Sequence, residues 1–268
     1  MQINTTSYQN ILDSLCKVLG FDEQSILDII DSAYFKFQQD HKILIMDDLY
    51  DYFIAIAQKN LKESLDNIFF YNVSRRLDDS NNDGLSLVEV LTSDNSLSNY
   101  LRNYGLTFKY DQEIEMYVNG RKIVMPEEER YRTNLKYRLT GDYSFKGYAF
   151  GDQLENNEII DIVEGGPEFF GHLFNYVDND DEIIDNFIEQ SQLYKFEYLV
   201  PIDNIYFEDY EELTNEEKQY HLIAKSLQRL YFYKYDSSFV NSDEDNSVIG
   251  MIDDKTLLSQ YLISKTVL

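Results

Sequence analysis

The spacing of apolar residues changes near residue 67, and this change limits the folds that the chain can adopt. Upstream of it, apolar residues recur every three or four positions, which is the period of an amphipathic helix. We expect three helices there, the first ending at Gly20, the second capped by Asp22 and the third capped by Asp47. Downstream, residues 68–73 form a short apolar run rich in aromatic and β-branched side chains, which predicts a buried strand.

A β-hairpin is the clearest signal in the rest of the chain. Its turn is the pair Asn119-Gly120, which suits the positive backbone φ angles of a tight type I′ turn between strands at 113–118 and 121–125. The string beginning at Thr214 has the form of a capping box and predicts the start of a long helix. Further strands are expected at residues 144–150, 195–200 and 205–207, and further helices at residues 167–176, 182–190 and 256–264.

These elements predict an α+β fold, in which a helical N-terminal third is followed by a mixed, largely antiparallel sheet with flanking helices. Residues 1–66 are expected to form a helical subdomain, and residues 67–268 an α+β domain with acidic loops and a C-terminal helix. A chain of 268 residues with 23 Tyr and 17 Phe has enough apolar side chains to fill a core of this size.

The net charge restricts the partners that the protein can bind. The chain carries 49 acidic and 23 basic residues, which gives a formal net charge of −26. Such a charge repels nucleic-acid phosphates and anionic membrane surfaces, and it attracts basic protein surfaces. We therefore expect a partner with a basic protein surface, no direct contact with nucleic acid and no membrane partner.

Cysteine content and hydropathy indicate the compartment. Cys16 is the single cysteine, so no disulfide can form within one chain, which is typical of a reducing environment. The first residues contain neither the basic nor the apolar region of a secretory signal, and no run of 18 apolar residues occurs. We expect a cytoplasmic protein, in the host cytoplasm if the gene is viral.

Half of the net negative charge lies in residues 178–217, where fourteen acidic residues accompany one base, Lys195. Carboxylates interspersed with aromatic rings can imitate the spaced charges and flat faces of a nucleic acid, or they can bind Arg and Lys of a partner. An ordinary solvated face is the alternative. The candidate partner-binding residues are Asp178, Asp180, Asp181, Glu182, Glu208, Asp209, Tyr210, Glu211 and Glu212.

Two adjacent arginines follow the predicted strand at 68–73. A guanidinium group can bind a phosphate or carboxylate through two hydrogen bonds, so Arg75 and Arg76 are candidates for anion binding. Together with Glu197 on a later strand, this layout resembles that of ADP-ribosyltransferase-like folds. The resemblance implies a nucleotide-dependent enzyme, in which an arginine holds a phosphate and Glu197 stabilises positive charge that develops on the ribose. Ion pairs with some of the many carboxylates are the structural alternative.

The segment from Asp78 to Glu89 resembles an EF-hand calcium loop in the spacing of its oxygen ligands. Its candidate ligands are Asp78, Ser80, Asn82 and Glu89, at loop positions one, three, five and twelve. The glycine departs from the pattern, because Gly84 stands at position seven and the sharp turn needs glycine at position six. A capped turn that leads into a helix is the alternative.

No further constellation indicates catalysis, because the single cysteine and the three scattered histidines match no nucleophilic or zinc-site spacing. The sequence therefore favours a binding protein over an enzyme, with no cofactor other than the calcium considered above. Our hypothesis is an acidic protein-binding module, of the inhibitor, immunity or anti-defence type, that docks the nucleic-acid-binding surface of a nuclease or other nucleic-acid enzyme. The ADP-ribosyltransferase-like enzyme and a calcium-binding regulator remain the two alternatives.

Overall fold

The computed structural model describes residues 1–38, 45–124, 130–156, 160, 163–173, 180–210, 212–241 and 246–268. In this part of the chain, α-helices accompany a six-stranded sheet and a three-stranded sheet, so the predicted α+β fold is confirmed. None of the helices described there is both long and apolar enough to cross a membrane.

Nine α-helices lie within the described residues, and their ends follow local capping signals. Gly20 closes the first helix at a φ of 69°, as predicted, and Asp22 accepts a hydrogen bond of 2.8 Å from the main-chain N–H of Ser25 at the start of the second. The helices are α1 (Tyr8–Leu19), α2 (Glu23–Gln38), α3 (Met46–Asn60), α4 (Leu87–Thr92), α5 (Ser96–Asn103), α6 (Arg130–Thr140), α7 (Glu168–Leu173), α8 (Asp180–Gln190) and α9 (Asn215–Tyr235).

The prediction that Asp47 caps α3 is wrong. The capping position belongs to Ile45, whose side chain makes no capping hydrogen bond, and Asp47 lies in the first turn of the helix. A carboxylate in the first turn still stabilises the helix, because it interacts favourably with the positive end of the helix dipole. The sequence signal was therefore correct about the start of a helix and two residues late about the cap.

The strands of the described residues form two sheets. They are β1 (Asn67–Arg76), β2 (Leu106–Asp111), β3 (Glu113–Val118), β4 (Arg121–Lys122), β5 (Lys146–Tyr148), β6 (Gln192–Pro201), β7 (Ile205–Phe207), β8 (Val248–Met251) and β9 (Leu262–Val267). The larger sheet has the order β7-β8-β5-β1-β6-β9, and the smaller has the order β2-β3-β4. The predicted strands at 68–73, 144–150, 195–200 and 205–207 are confirmed as β1, β5, β6 and β7.

The predicted hairpin is confirmed as β3 and β4. Val118 pairs with Arg121 across the two-residue turn, and the φ angles of Asn119 and Gly120 are 49° and 77°. A type I′ turn needs positive φ at both central positions, so the local sequence sets the register of the two strands. β2 was not predicted, and it pairs antiparallel with β3 from Leu106 to Asp111.

The end of the chain differs from the prediction of a C-terminal helix at 256–264. Residues Ser259–Tyr261 form a single 3₁₀ turn, and Leu262–Val267 form β9. Leu257, Leu258 and Tyr261 have helical spacing, but Ile263, Thr266 and Val267 are β-branched and favour an extended backbone. Pairing with β6 in the sheet overrides the local helical pattern.

The chain forms two compact units. The first consists of Met1–Tyr71, Gly147–Ile159 and Glu197–Gly250, and the second of Asn72–Lys146, Ile160–Phe196 and Met251–Leu268. The predicted division at residue 66 remains a prediction.

In the first unit, α9 contacts α1, α2 and α3. Its start at the Thr214 capping box is confirmed, because the Glu217 N–H donates to Thr214 and the Thr214 N–H donates to Glu217. Most of α9 is buried, with Tyr231 and Phe232 fully enclosed. In the second unit, the core contains Tyr100, Phe170 and Phe187, whose rings meet edge to face.

Candidate functional site

Tyr50 and Tyr210 stack against each other in the first unit. β7 ends at Phe207, and a tight turn, in which the Tyr210 N–H donates to the Phe207 carbonyl at 2.9 Å, reverses the chain. This turn lays the Tyr210 ring nearly parallel to that of Tyr50 on α3, with the ring centroids 5.8 Å apart and the planes at 17°. Tyr210 remains 39% exposed. The pair therefore presents an ordered aromatic side chain to solvent.

His221 on α9 supports this pair from the buried side. The hydroxyl of Tyr50 and Nδ1 of His221 share a hydrogen bond of 2.7 Å. The centroid of the Phe207 ring lies 4.2 Å from the centroid of the imidazole. Burial, together with the charge of Lys225 one turn further along α9, lowers the pKa of His221 to about 3. The imidazole is therefore neutral at pH 7, and its role in the structure is to fix the position of Tyr50.

Carboxylates from two distant segments surround Tyr210. The pKa of Tyr210 is raised first by burial and then by nearby negative charges, which belong to Asp209, Asp47 and Asp51. Asp47 and Asp51 are exposed on α3. We define the acidic tyrosine surface as Asp47, Asp51, Glu208, Asp209, Tyr210 and Glu212, all of which are exposed and belong to the first unit.

A cavity of about 220 Å³ opens beside Tyr210. One wall contains Gln228, which is only 1% exposed and whose Oε1 has no hydrogen-bond partner among the described residues. Nζ of Lys225 lies 5.9 Å from the centre of the Tyr50 ring. We call this space the Gln228 cavity; it is lined by Met46, Asp47, Tyr50, Tyr210, Lys225, Gln228 and Phe239.

The candidate partner-binding residues fall into three groups. Glu208, Asp209, Tyr210 and Glu212 belong to the acidic tyrosine surface, and Glu182 is exposed on α8 in the second unit. Asp180 and Asp181 begin α8, and their side chains lie outside the described part of the structure, as do residues Asp178 and Glu211 entirely.

The guanidinium group of Arg75 binds main-chain oxygens in the second unit. Its Nε donates to the Glu164 carbonyl at 3.0 Å, and its Nη1 donates to the carbonyls of Ile188 and Ser191, at the end of α8, at 3.4 and 3.3 Å. A cation in this position interacts favourably with the C-terminal end of a helix. The contacts give Arg75 a structural role.

Arg76 and Glu197 complete the set of residues considered for an enzyme. The guanidinium group of Arg76 lies over the ring of Phe196, 5.1 Å from its centre. Glu197 is half-buried on β6. The ADP-ribosyltransferase-like alternative remains a prediction.

The loop that resembles a calcium site leads into a capped helix. Oε2 of Glu89 accepts hydrogen bonds from the N–H and the hydroxyl of Ser86, at 3.1 and 3.2 Å, and from the hydroxyl of Thr256. Glu89 thus completes the capping box of α4.

The other candidate ligands lie in the preceding turn. Oδ1 of Asp78 accepts from the N–H of Ser80, and Asn82 lies two residues further on. The described residues contain no group of three or more His, Cys, Asp or Glu side chains arranged for a metal ion. Calcium binding through Asp78, Ser80, Asn82 and Glu89 remains a prediction.

Sequence patterns missed half of the site. Tyr50, His221 and Gln228 come from two helices whose contact joins residues more than 150 positions apart, and no local pattern encodes such a contact. A usable signal was present, since Asp47, Asp48 and Asp51 give α3 an acidic start. Pairing that start with the acidic segment near Tyr210 requires the fold.

Comparison with known proteins yields no match to this chain, whether with family models, curated proteins or solved structures. Function must therefore be inferred from the chemistry of the acidic tyrosine surface and of the cavity beside it.

Proposed function

We propose that this protein is a cytoplasmic binding module whose acidic tyrosine surface docks a basic surface of a partner protein. The partner class that this charge pattern favours is a nuclease or another enzyme that binds nucleic acid. The protein would then act as an inhibitor of that enzyme, for example as an immunity or anti-defence protein.

The observation that carries this proposal is the convergence of carboxylates from two segments around one ordered, exposed tyrosine. Tyr210 is held by stacking on Tyr50, and His221 fixes Tyr50 in turn. A tyrosine held in this way loses little conformational entropy on binding, which is why such residues are common at the centres of interfaces. The surrounding carboxylates supply charge complementarity to Arg and Lys.

The overall charge supports the same kind of partner. A net charge of −26 accelerates association with basic proteins and slows association with anionic ones. The basic groove of a nucleic-acid enzyme is a large positive surface, and an acidic protein can occupy it in place of the phosphates.

The test combines affinity capture with a charge variant. The tagged protein is exposed to a lysate of the source organism at low and high salt, and a retained basic protein is purified for titration. In the surface variant, Glu208→Gln, Asp209→Asn and Glu212→Gln are introduced together. We expect affinity at low salt to fall roughly 3- to 150-fold, since each of the three charges at an interface rim contributes about 0.2–1 kcal/mol. The salt dependence should weaken as well.

A matched control separates the surface from the net charge. The control variant carries Glu63→Gln, Asp111→Asn and Glu113→Gln, three exposed carboxylates outside the acidic tyrosine surface, and its net charge equals that of the surface variant. We leave Glu217 intact in both variants because it caps α9. Equal weakening by the two variants, or unchanged binding by the surface variant, would contradict the proposal.

A further inference from the structure

Residues 256–268, which contain β9, carry almost no charge. Lys265 is the one charged side chain among these thirteen residues, whereas charged residues make up 27% of the whole chain. The net charge of −26 makes two copies of the protein repel each other over most of their surfaces. A segment without acidic side chains is a place where a second copy meets little local repulsion.

Exposed apolar side chains are concentrated in the same segment. Leu258, Ile263 and Val267 are 45%, 51% and 60% exposed, and they are three of the nine large hydrophobic side chains that are exposed in the described part of the chain. None of the six residues of β9 is buried. Single exposed apolar residues are common, but a cluster of them indicates a contact surface.

β9 forms one edge of the six-stranded sheet. Among the described strands, its one neighbour is β6. An edge strand presents main-chain N–H and C=O groups along its outer side, and these groups can pair with a strand of another molecule. β9 is therefore placed to accept a further strand.

Proteins often prevent such pairing with a lysine or a proline on the edge strand. β9 contains no proline, and its lysine lies on the inner side. Nζ of Lys265 lies 4.1 Å from the centre of the Tyr194 ring and 5.6 Å from that of Phe196, and both rings belong to β6. It also donates to the Asp79 carbonyl at 2.8 Å. The ammonium group therefore does not obstruct the outer edge.

The order of side chains along β9 is self-complementary. Ile263, Lys265 and Val267 alternate along the strand and so share one face. When two β9 strands pair antiparallel about a two-fold axis at Lys265, Ile263 of each strand lies directly opposite Val267 of the other. The two exposed apolar side chains then cover each other. The two lysines also meet at the axis, but their ammonium groups are directed towards β6.

From these features we propose that β9 pairs antiparallel with β9 of a second copy of this chain, in the register centred on Lys265. The pairing joins two six-stranded sheets edge to edge. A contact between two six-residue strands is smaller than the roughly 1,200–2,000 Å² of a stable interface, so the dimer is weak and forms at high protein concentration. β9 shares no residue with the acidic tyrosine surface, and neither proposal depends on the other.

The first test is sedimentation equilibrium of the full chain, at concentrations up to the millimolar range and at low and high salt. We expect a monomer–dimer equilibrium that salt strengthens, because salt screens the repulsion between the two acidic copies. Asp83, which accepts from the Ser259 N–H at 2.6 Å, adds a carboxylate near this segment. Docking of a basic partner has the opposite salt dependence. A chain that stays monomeric under all these conditions, as it would if the edge served a strand of another protein, overturns the proposal.

A charge variant then locates the contact. Ile263→Lys places a lysine at the edge and should raise the dissociation constant of the dimer about 2- to 30-fold, because two Ile263–Val267 pairs are lost in each dimer. Phe35→Lys is the matched control, since Phe35 is 55% exposed on α2 and the substitution changes the net charge equally. It should not weaken the dimer. Equal weakening by the two variants contradicts a contact through β9.

Disulfide cross-linking tests the register. Cys16→Ser first removes the single native cysteine, and Ile263→Cys and Val267→Cys are then made in separate chains that differ in tag size. In the proposed register, positions 263 and 267 of opposite copies have Cα atoms about 5 Å apart, which suits a disulfide. Identical positions lie about 14 Å apart, because four residues at about 3.4 Å each separate them along the strand.

We therefore expect oxidation of the mixed chains to give the disulfide-linked heterodimer, and oxidation of either chain alone to give little dimer. The wild-type chain and the Cys16→Ser chain should behave alike in sedimentation, which shows that the background is neutral. A mixture that cross-links no better than its separate components would overturn the antiparallel pairing centred on Lys265.

Discussion

The hydroxyl of Tyr50 lies 2.7 Å from Nδ1 of His221, although 171 positions separate the two residues in the sequence. This bond joins α3 to α9 inside the first unit, directly beneath the exposed ring of Tyr210. The position of the Tyr210 ring in the acidic tyrosine surface therefore depends on a buried, neutral histidine that holds Tyr50. Protonation of His221 at low pH should disturb this arrangement.

We predict that the protein loses stability as the pH falls below about 6.5 because of His221. Its pKa is about 3 in the folded protein and about 6.5 in an unfolded chain. Between these two values the unfolded state binds a proton that the folded state does not, so the free energy of unfolding decreases as the pH falls. Between pH 7 and pH 5.5 the loss amounts to about 1 kcal/mol. Urea unfolding at the two pH values measures it.

The variant His221→Phe provides the comparison, because it keeps a ring in the aromatic cluster and cannot be protonated. Its loss of stability between pH 7 and pH 5.5 should be smaller than that of the wild type by the same amount. The other histidines are present in both proteins, so their contributions cancel in the difference. Identical losses in the two proteins would show that His221 titrates normally.

We predict that Tyr50→Phe destabilises the protein by about 0.5–1.5 kcal/mol, because it removes the hydrogen bond with His221 and leaves the stacked ring in place. Tyr210→Phe is the matched control. The hydroxyl of Tyr210 makes no hydrogen bond to the described residues, so its removal should change the free energy of unfolding by less than about 0.5 kcal/mol. Chemical denaturation of both variants at pH 7 gives the comparison, and equal effects would contradict the prediction.

Elements specified by nearby residues could be predicted from the sequence. The capping box between Thr214 and Glu217 and the turn at Asn119-Gly120 depend on residues at most three positions apart, and both are confirmed. β9 could not be predicted in this way. Its backbone hydrogen bonds come from β6, and pairing with a distant strand overrides weak local propensity.

The site was less predictable than the fold, for the same physical reason. The local clustering of acidic residues was enough to identify Glu208, Asp209, Tyr210 and Glu212, because such a run of charge is visible in the sequence. The Gln228 cavity depends on packing between α3 and α9, and Gln228 itself has no neighbours in the sequence that mark it as special. Burial without a hydrogen-bond partner is a property that only the folded structure reveals.

A buried ion pair in the first unit gives a further prediction. Arg229 and Asp152 are each 2% exposed at the side chain, and Nε of Arg229 lies 2.8 Å from both carboxylate oxygens of Asp152. The hydroxyl of Tyr233 donates to the same carboxylate at 2.7 Å. We predict that Asp152→Ala lowers the free energy of unfolding by about 3–5 kcal/mol, because it leaves a buried guanidinium charge without its counter-ion.

Two further variants show whether the uncompensated charge is the cause. Asp13→Ala removes an exposed carboxylate and should change stability by less than about 0.5 kcal/mol. The double variant Arg229→Met with Asp152→Ala should be more stable than Asp152→Ala alone, because no buried charge remains. A double variant less stable than the single one would show that packing around Arg229 matters more than its charge.

The last prediction concerns Gly84, the glycine in the loop that resembles a calcium site. Its N–H donates to the Leu257 carbonyl at 2.7 Å, and its carbonyl accepts from the Leu257 N–H at 2.8 Å. A Cβ atom at Gly84 would lie 2.3 Å from the ring of Phe145. Glycine is required here because a ring and a backbone approach it closely in the second unit, and this requirement is independent of any bound ion.

We therefore expect Gly84→Ala to destabilise the protein by about 1–3 kcal/mol, whether or not calcium is present. Gly141→Ala is the matched control, since a Cβ atom there meets nothing within 4 Å and the change should be nearly neutral. Combining Gly84→Ala with Phe145→Leu should recover part of the loss, because the smaller side chain makes room for the methyl group. If the destabilisation instead appeared only in the presence of calcium, the glycine would serve an ion-binding turn, and the calcium-binding alternative would gain its first support.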